Sequence, residues 1–274
     1  MGGLRNTVRQ ELVARQLDEH LAALRPAALH PAAQAPGAQA PGAGNATAST
    51  GSAAGGLRIL DVGPGQGTQA LRLARAGHRV TGLESDPAML AALRAAVAAE
   101  PAQVRERFAA VDGDGRQAGT IFGPASFDVV LCHGVLMYVP EPEPLLAALA
   151  GVLAPGGLLS LLVRNGDALA MRPGLLGDWE QAVAAFGSDA YTNRLGLATR
   201  ADRREPLAAA LAGLGVPVRA WYGVRVFTDT AADDARAPQD PDALRLLLDA
   251  EERAGRTDPY REVAALLHLC GVRA

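Results

Sequence analysis

From Leu57 onward, short apolar segments alternate with amphipathic segments, and this alternation is the strongest constraint on the fold. The segments LRILDV, HRVTGL, FDVVLCHGV and GLLSLLVRN have the character of strands, and apolar residues recur at helical spacing between them. A strand, a helix and a second strand of the same sheet form a parallel pair with the helix packed on one face. The pattern therefore predicts an α/β fold with a parallel sheet covered by helices on both faces.

Three segments depart from the alternation. Residues 4–25 place apolar side chains at helical spacing opposite a polar face, which predicts an N-terminal helix. Residues 26–56 are rich in Pro, Ala, Gly and Ser, without charge or periodicity, and are expected to be a flexible linker. Residues 165–205 are mixed in character and rich in arginine, as expected of an insertion.

Composition limits the classes of partner. The net charge is −3 and all 26 basic residues are arginine, so nucleic-acid binding would depend on a local arginine patch. Cys132 and Cys270 lie in apolar runs, which favours buried thiols over a disulfide or a metal site. No apolar run approaches the ~18 residues of a membrane span, and the N-terminus lacks a signal-peptide core. We expect a cytoplasmic protein without a membrane partner; its oligomeric state is left open.

A glycine-rich turn follows the first strand directly. Gly63, Gly65 and Gly67 stand between this strand and a helix, where glycine permits positive φ and close approach of a ligand to the backbone. Asp61 precedes the turn, and Glu84 ends the next strand, where an acidic side chain commonly binds the ribose of a nucleotide. The spacing GPGQG differs from the dinucleotide fingerprint G-x-G-x-x-G, which disfavours a nicotinamide-dependent oxidoreductase. A non-catalytic nucleotide-binding module is an alternative of another class.

The stretch DVGPGQG, with Glu84 downstream, resembles the class I S-adenosylmethionine-dependent methyltransferases. Asp112 and Gly113, the stretch FDVVLCHGVLMYV, and the stretch LLAALAGVLAPGGLLSLLV resemble later motifs of that family in the same order, over residues 58–163. The resemblance implies a Rossmann-like seven-stranded sheet, mostly parallel, with its last strand antiparallel. It also implies S-adenosyl-L-methionine as cofactor, S-adenosyl-L-homocysteine as product, and a methyltransferase domain over residues 57–274. Residues 1–25 would then be a candidate lid.

Segments at both ends of the chain resemble the bacterial tRNA 5-carboxymethoxyuridine methyltransferase subgroup. They include GGLR, CHGVLMYV, YGVRVFTD and LLLDAEERAGRTDPYREVAALLHL. The resemblance implies that Arg5 holds the carboxylate of the methyl donor, Glu84 its ribose, and Asp112 and Gly113 its adenine, with His133 close to the transferred methyl. The loop would contribute the remaining donor-binding residues: Asp61, Gly63, Pro64, Gly65 and Gly67. The subgroup's lysine cluster is absent here, and the linker is an insertion.

The methyl acceptor is less constrained than the donor. A carboxylate is ionised at pH 7 and requires no general base, and the sequence shows no arrangement that indicates one. An anionic acceptor would favour arginine, and Arg164 is best placed because it ends a strand. His133 and Arg164 are therefore candidates for positioning, and Tyr138, Arg164, Arg200 and Arg203 for acceptor binding. Either tRNA or a small metabolite with a carboxylate, hydroxyl or amine fits these residues.

Overall fold

The computed structural model describes residues 3–24, 56–193 and 196–274. The predicted linker, apart from Gly56, lies outside the described residues. The strands are β1 (Arg58–Val62), β2 (Arg79–Glu84), β3 (Phe108–Asp112), β4 (Phe127–His133), β5 (Leu153–Arg164), β6 (Ala190–Thr192), β7 (Ala198–Arg200), β8 (Val218–Val224) and β9 (Leu266–Val272). The helices are α1 (Leu4–Ala23), α2 (Thr68–Arg75), α3 (Pro87–Ala98), α4 (Ala102–Arg105), α5 (Ala118–Phe122), α6 (Pro142–Val152), α7 (Met171–Leu175), α8 (Trp179–Ala185), α9 (Arg204–Gly213) and α10 (Pro241–Ala254).

Seven strands form the main sheet, in the order β3-β2-β1-β4-β5-β9-β8. All neighbouring pairs from β3 to β5 are parallel, and β9 runs antiparallel to both β5 and β8. The predicted fold class, including the antiparallel last strand, is confirmed. The strand order reverses between β1 and β4, and ligands of open α/β sheets bind at such a switch point, outside the carboxyl ends of the strands.

Local sequence accounts for the element boundaries near this edge. The Asp86 side chain accepts hydrogen bonds from the backbone N–H groups of Ala88 and Met89, and Pro87 occupies the first turn of α3. Gly77, with φ of 100°, follows α2 and ends it as a C-terminal glycine. One boundary is unusual: β5 already begins at Leu153, so the stretch APGG, whose proline and glycines are typical of a turn, lies inside the strand.

The N-terminal helix α1 packs on the body of the protein. Val8, Leu12 and Val13 are buried in a cluster with Leu162 of β5 and Val224 of β8. Burial of an aliphatic side chain contributes roughly 1.5–3 kcal/mol, so this contact holds the helix firmly. The predicted helix is confirmed, and its role as a lid stays a prediction.

Residues 165–205, the predicted insertion, carry small elements of their own. Helices α7 and α8 are followed by β6 and β7, which pair as an antiparallel hairpin. A bridge between Asn165 and Asp202 joins the two ends of the insertion beside the end of β5. The hairpin is thereby fixed next to the carboxyl edge of the main sheet.

No helix of the described residues is long and apolar enough to cross a membrane.

Candidate active site

A cleft of about 290 Å³ lies at the switch point of the sheet; we call it the glycine cleft. The glycine turn, the end of β4 and the polar face of α1 border it. Its lining residues are Asn6, Arg9, Gln10, Val13, Asp61, Gly63, Pro64, Gly65, Gln66, Thr68, Gln69, His133 and Leu162.

The three glycines of the turn all adopt positive φ, as predicted. At Gly63 an added Cβ would lie 2.4 Å from Cγ2 of Val135, and at Gly67 it would lie 2.7 Å from Cδ1 of Leu93. At Gly65 an added Cβ would meet nothing within 4 Å. The first and third glycines therefore permit close packing of the turn, and Gly65 leaves open space on the cleft side.

Asp61 brings a buried carboxyl group to the floor of the glycine cleft. Burial, together with the negative charge of Glu84, raises the pKa of Asp61 to about 7. Glu84 is itself buried at the end of β2, where its Oε1 accepts a hydrogen bond from the N–H of Asp86 at 3.0 Å. Two acidic side chains thus lie at the ends of neighbouring strands, ready to accept hydrogen bonds from cationic or hydroxyl groups.

His133 connects the glycine cleft with a buried polar network. Its Nε2 is 2.8 Å from the hydroxyl of Ser160, which is 2.7 Å from Nε2 of His268. Nδ1 of His268 lies 2.7 Å from Oε1 of Gln16 in α1. Burial and the positive charges of Arg9 and Arg72 lower the pKa of His133 to about 3. The imidazole is therefore neutral at pH 7, and its Nε2 is held by the hydrogen bond with Ser160.

The predicted donor-binding residues other than Arg5 fall into two groups. Asp61, Gly63, Pro64, Gly65 and His133 line the glycine cleft. The others, Gly67, Glu84, Asp112 and Gly113, lie beside it without lining it, and Glu84 pairs with Asp112 in the register of β2 and β3. The donor-binding role of each residue stays a prediction.

A second cleft, of about 360 Å³, adjoins the first and shares Asn6, Arg9 and Leu162 with it. We call it the arginine cleft, because five guanidinium groups and one carboxylate line it among the residues that the structure describes. It lies at the ends of β4, β5 and β8, beside the hairpin of the insertion. Its lining residues are Arg5, Asn6, Arg9, Gly134, Met137, Tyr138, Leu162, Val163, Arg164, Arg172, Tyr191, Thr192, Asn193, Arg225, Asp229 and Leu266.

Asp229 lies at the centre of the arginine cleft. Its carboxylate is 3.0 Å from Nη2 of Arg225 and 3.4 Å from Nη1 of Arg164. Its backbone carbonyl accepts hydrogen bonds from Arg172 and Arg5. Burial lowers the pKa of Arg225 to about 10, so its guanidinium remains charged at pH 7.

The loop that carries Asp229 is anchored by a buried carboxylate. Glu251 of α10 accepts hydrogen bonds from the N–H groups of Val226, Phe227 and Thr228, at 2.8 to 3.1 Å, and from the Thr228 hydroxyl at 2.6 Å. Arg225, at the start of this loop, has a φ of 62°. A non-glycine residue adopts that conformation at a cost and persists there only when its surroundings fix it.

The structure places the remaining predicted residues as follows. Arg5 lines the arginine cleft and pairs with Asp233, and it is not among the residues of the glycine cleft. Tyr138 and Arg164 line the arginine cleft as well. Arg200 and Arg203 border a separate depression, where they pair with Asp202 and, at 2.6 Å, with Asp167. The predicted roles of Arg200 and Arg203 stay predictions. Their positive charges are already paired with neighbouring carboxylates, which leaves less charge to attract an anionic acceptor.

Sequence reasoning missed several lining residues. Asn6, Arg9 and Gln10 belong to the polar face of α1, and the spacing of that helix does not mark them as lining residues. Arg172, Arg225 and Asp229 come from distant segments that carry no common motif. The one available signal was the stretch YGVRVFTD, which contains Arg225 and Asp229 and carried part of the subgroup resemblance.

Comparison with known proteins agrees with this geometry. Residues 60–161 match the family model of a methyltransferase domain. The chain is an S-adenosylmethionine-dependent methyltransferase. A tRNA 5-carboxymethoxyuridine methyltransferase of Escherichia coli is 28% identical to this methyltransferase over 215 residues, which cover 78% of each protein.

Two further similarities bear on the methyltransferase. A ubiquinone biosynthesis O-methyltransferase of Xanthomonas euvesicatoria pv. vesicatoria is 34% identical over 117 residues, 43% of this chain and 47% of that protein. The crystal structure of an S-adenosylmethionine-dependent methyltransferase from Mesorhizobium loti matches with a TM-score of 0.53 at 21% identity, covering 80% of this chain and 92% of that one. This structural likeness shows the fold.

The glycine cleft fits the methyl donor of the methyltransferase. Gly65 leaves the open space that close approach of a ligand to the backbone requires. Asp61 and Arg9 supply opposite charges in one cleft, which suits the ammonium and carboxylate groups of the donor's amino-acid end. Glu84 lies where the ribose hydroxyls are held in nucleotide-binding sheets.

Proposed function

We propose that this methyltransferase transfers the methyl group to a carboxylate and forms a methyl ester. The observation that carries the proposal is the arginine cleft beside the glycine cleft, whose described lining holds five guanidinium groups and one carboxylate. Arginine binds carboxylates through paired, charge-assisted hydrogen bonds. An anionic acceptor in this cleft would lie next to the end of β4, where the glycine cleft begins.

The residues of the donor site would bind S-adenosylmethionine in a fixed position. Gly63, Pro64 and Gly65 would contact its amino-acid end, Asp61 and Arg9 its charges, and Glu84 its ribose. When bound, S-adenosylmethionine supplies a methyl group on a sulfonium, and transfer to a carboxylate oxygen yields an ester and S-adenosylhomocysteine without a proton to remove. The protein then has to align the carboxylate with the methyl group and exclude water.

His133 and Asp229 match this reaction because neither of these two groups is suited to general-base catalysis. His133 has a pKa of about 3 and is a poor acceptor for the proton of an amine or hydroxyl at pH 7. Asp229, the one carboxylate among the described lining residues, is engaged by Arg164 and Arg225. An ionised carboxylate needs neither group as a base.

Two carriers of the carboxylate are supported by different observations. Similarity to the Escherichia coli enzyme over 78% of the chain supports 5-carboxymethoxyuridine in tRNA. Local pairing of Arg200 and Arg203 with acidic residues supports a small-molecule acid instead, because binding a phosphate backbone takes several available basic side chains. We place tRNA first, since the similarity extends over most of both proteins.

A labelling experiment tests both parts of the proposal. The full-length enzyme is incubated with methyl-labelled donor and either a metabolite extract or bulk tRNA that mild alkali has first stripped of methyl esters. We expect label in tRNA, and we expect a second alkali treatment to release it as methanol. Label that resists alkali would overturn the carboxylate assignment, and alkali-labile label confined to the extract would replace tRNA by a small acid.

Two arginine substitutions provide the matched control. Arg164→Gln removes a guanidinium from the cleft and is expected to lower ester formation at least roughly 10-fold, the equivalent of about 1.4 kcal/mol. Arg245→Gln removes an exposed guanidinium of α10 that lines neither cleft, and it is expected to leave the rate unchanged.

A further inference from the structure

The charges of the arginine cleft are not balanced by its own residues. Arg5 is engaged by Asp233, and Arg9 is shared with the glycine cleft. Among the described residues of this cleft, three guanidinium groups, those of Arg164, Arg172 and Arg225, then remain against the carboxylate of Asp229.

Two of these three guanidinium groups also have unused hydrogen-bond donors. Arg164 is 8% exposed, and the Nε atoms of Arg164 and Arg225 are buried without any hydrogen-bond partner. Arg164 further stacks over the ring of Tyr191, with its Cζ 5.1 Å from the ring centroid, which fixes the guanidinium plane. Arg172 is held by the carbonyl of Asp229 and pairs with no carboxylate in the described structure.

Burial of unbalanced charge is costly, and a ligand that supplies the missing counter-charge is bound correspondingly well. One monocarboxylate would still leave one positive charge uncompensated among these four residues. A ligand with two negative charges would compensate all of them.

We propose that the acceptor carries two anionic groups that bind in the arginine cleft: the carboxylate that is methylated and a second carboxylate or a phosphate. The inference rests on the proposed function and narrows its substrate class. The second group has a distinct use, because methylation neutralises the first. It keeps the acceptor oriented by Arg172 and Arg225 while the carboxylate at Arg164 reacts.

Matched pairs of acceptors test the proposal. The nucleoside 5-carboxymethoxyuridine is compared with its 5′-monophosphate, and hexanoate with adipate, so that each pair differs only by a second anion. We expect the dianionic member to have a kcat/KM roughly 10- to 100-fold higher, the effect of one additional charged hydrogen-bonding group. The first pair tests a phosphate as the second anionic group, and the second pair tests a carboxylate.

Substitution links the preference to the cleft. Arg172→Gln is expected to reduce the preference for the dianion to less than about 3-fold, because one counter-charge is removed. Arg245→Gln is expected to retain the full preference. Equal kcat/KM values for the two members of each pair would overturn the inference. Ester formation in the same assays would still support the proposed function.

A binding measurement tests the same inference if the enzyme does not methylate these small acceptors. The enzyme saturated with S-adenosylhomocysteine is titrated calorimetrically with adipate, hexanoate and phosphonoacetate. Tighter binding of the two dianions, lost in Arg172→Gln, supports the inference. Binding of hexanoate as tight as that of both dianions overturns it, whatever the fate of the methyl group.

Discussion

The imidazole Nε2 of His133 lies 2.8 Å from the hydroxyl of Ser160, across the neighbouring strands β4 and β5. The same hydroxyl is 2.7 Å from Nε2 of His268. A serine hydroxyl has one proton, so it donates to one of these rings and at least one imidazole must donate its N–H to the serine oxygen. The tautomer of His133 at the cleft is thereby coupled to a hydrogen-bond network that extends to Gln16 of α1.

Replacement of this serine is expected to be costly. Ser160→Ala leaves an imidazole donor and an acceptor without partners at a fully buried position, and we expect the free energy of unfolding to fall by roughly 1–3 kcal/mol. Urea denaturation measures the change. Ser126→Ala, which removes a half-buried hydroxyl bonded to the Phe122 carbonyl, is the control and is expected to cost less. A change below about 0.5 kcal/mol in Ser160→Ala would show that the network contributes little to stability.

Asp61 predicts a pH dependence of stability with a definite sign. Its pKa is about 7 in the folded protein and about 3.9 in an unfolded chain. The folded state therefore binds the proton more tightly, and ionisation destabilises it as the pH rises from about 4 to about 7. We expect Asp61 to lower the free energy of unfolding across this window by up to about 1.4 kcal/mol per pH unit.

Asp61→Asn isolates this contribution, since other groups titrate in the same range. In the absence of added donor, the stability of Asp61→Asn relative to wild type should increase from pH 5 to pH 7 and level off above. Urea denaturation at pH 5, 6, 7 and 8 measures the difference, with Asp242→Asn, an exposed residue at the start of α10, as the control for the substitution itself. A pH-independent difference would contradict a raised pKa of Asp61.

The strands, the glycine turn and the cap of α3 were predictable because each depends on neighbouring residues in the chain. The pattern of apolar residues specifies β4, and Asp86 with Pro87 specifies the start of α3. The arginine cleft was not predictable in this way. Arg164, Arg172 and Arg225 come together only through the sheet order and the insertion, which no local periodicity encodes.

The N-terminal helix shows the same limit. Its apolar residues predicted the buried face correctly, but Gln16 is fully buried and Asn6 and Arg9 face the clefts. A polar residue opposite an apolar face is ordinarily solvated, and only the tertiary contact with β5 and β8 reverses that expectation for these side chains.

Glu251 is expected to position the acceptor site from a distance. Glu251→Gln replaces one acceptor oxygen by an amide N–H₂ that faces backbone donors, so we expect a loss of roughly 1–3 kcal/mol of stability. The loop that holds Arg225 and Asp229 should then shift, which raises KM for the acceptor and leaves the affinity for S-adenosylhomocysteine unchanged. Calorimetry and steady-state kinetics measure the two effects.

The adjacent residue supplies the matched control. Glu252 is on the same helix and pairs with Arg15 and Arg256 nearer the surface, so Glu252→Gln is expected to cost at most about 1 kcal/mol. If Glu251→Gln raised KM for the acceptor no more than Glu252→Gln does, the loop would not depend on the buried carboxylate.

Gly65 separates the folding role of the glycine turn from its binding role. Alanine at this position adopts a φ near 57° at a cost of about 1–2 kcal/mol, but its Cβ enters open space and meets no protein atom within 4 Å. Gly65→Ala should therefore fold, but the side-chain methyl of the alanine would occupy space that the donor needs. We expect the Kd for S-adenosylhomocysteine to rise roughly 10-fold or more, equivalent to about 1.4 kcal/mol.

Substitutions of two other glycines serve as comparisons for this prediction. Gly63→Ala places a Cβ 2.4 Å from Val135, so it should lose both stability and donor binding. Gly151→Ala lies in α6, where an added Cβ also meets nothing within 4 Å, and it should bind S-adenosylhomocysteine as the wild type does. Calorimetric titration of the three variants, each first checked for cooperative unfolding, distinguishes the cases. Wild-type affinity in Gly65→Ala would mean that the open space beside this glycine is not part of the donor site.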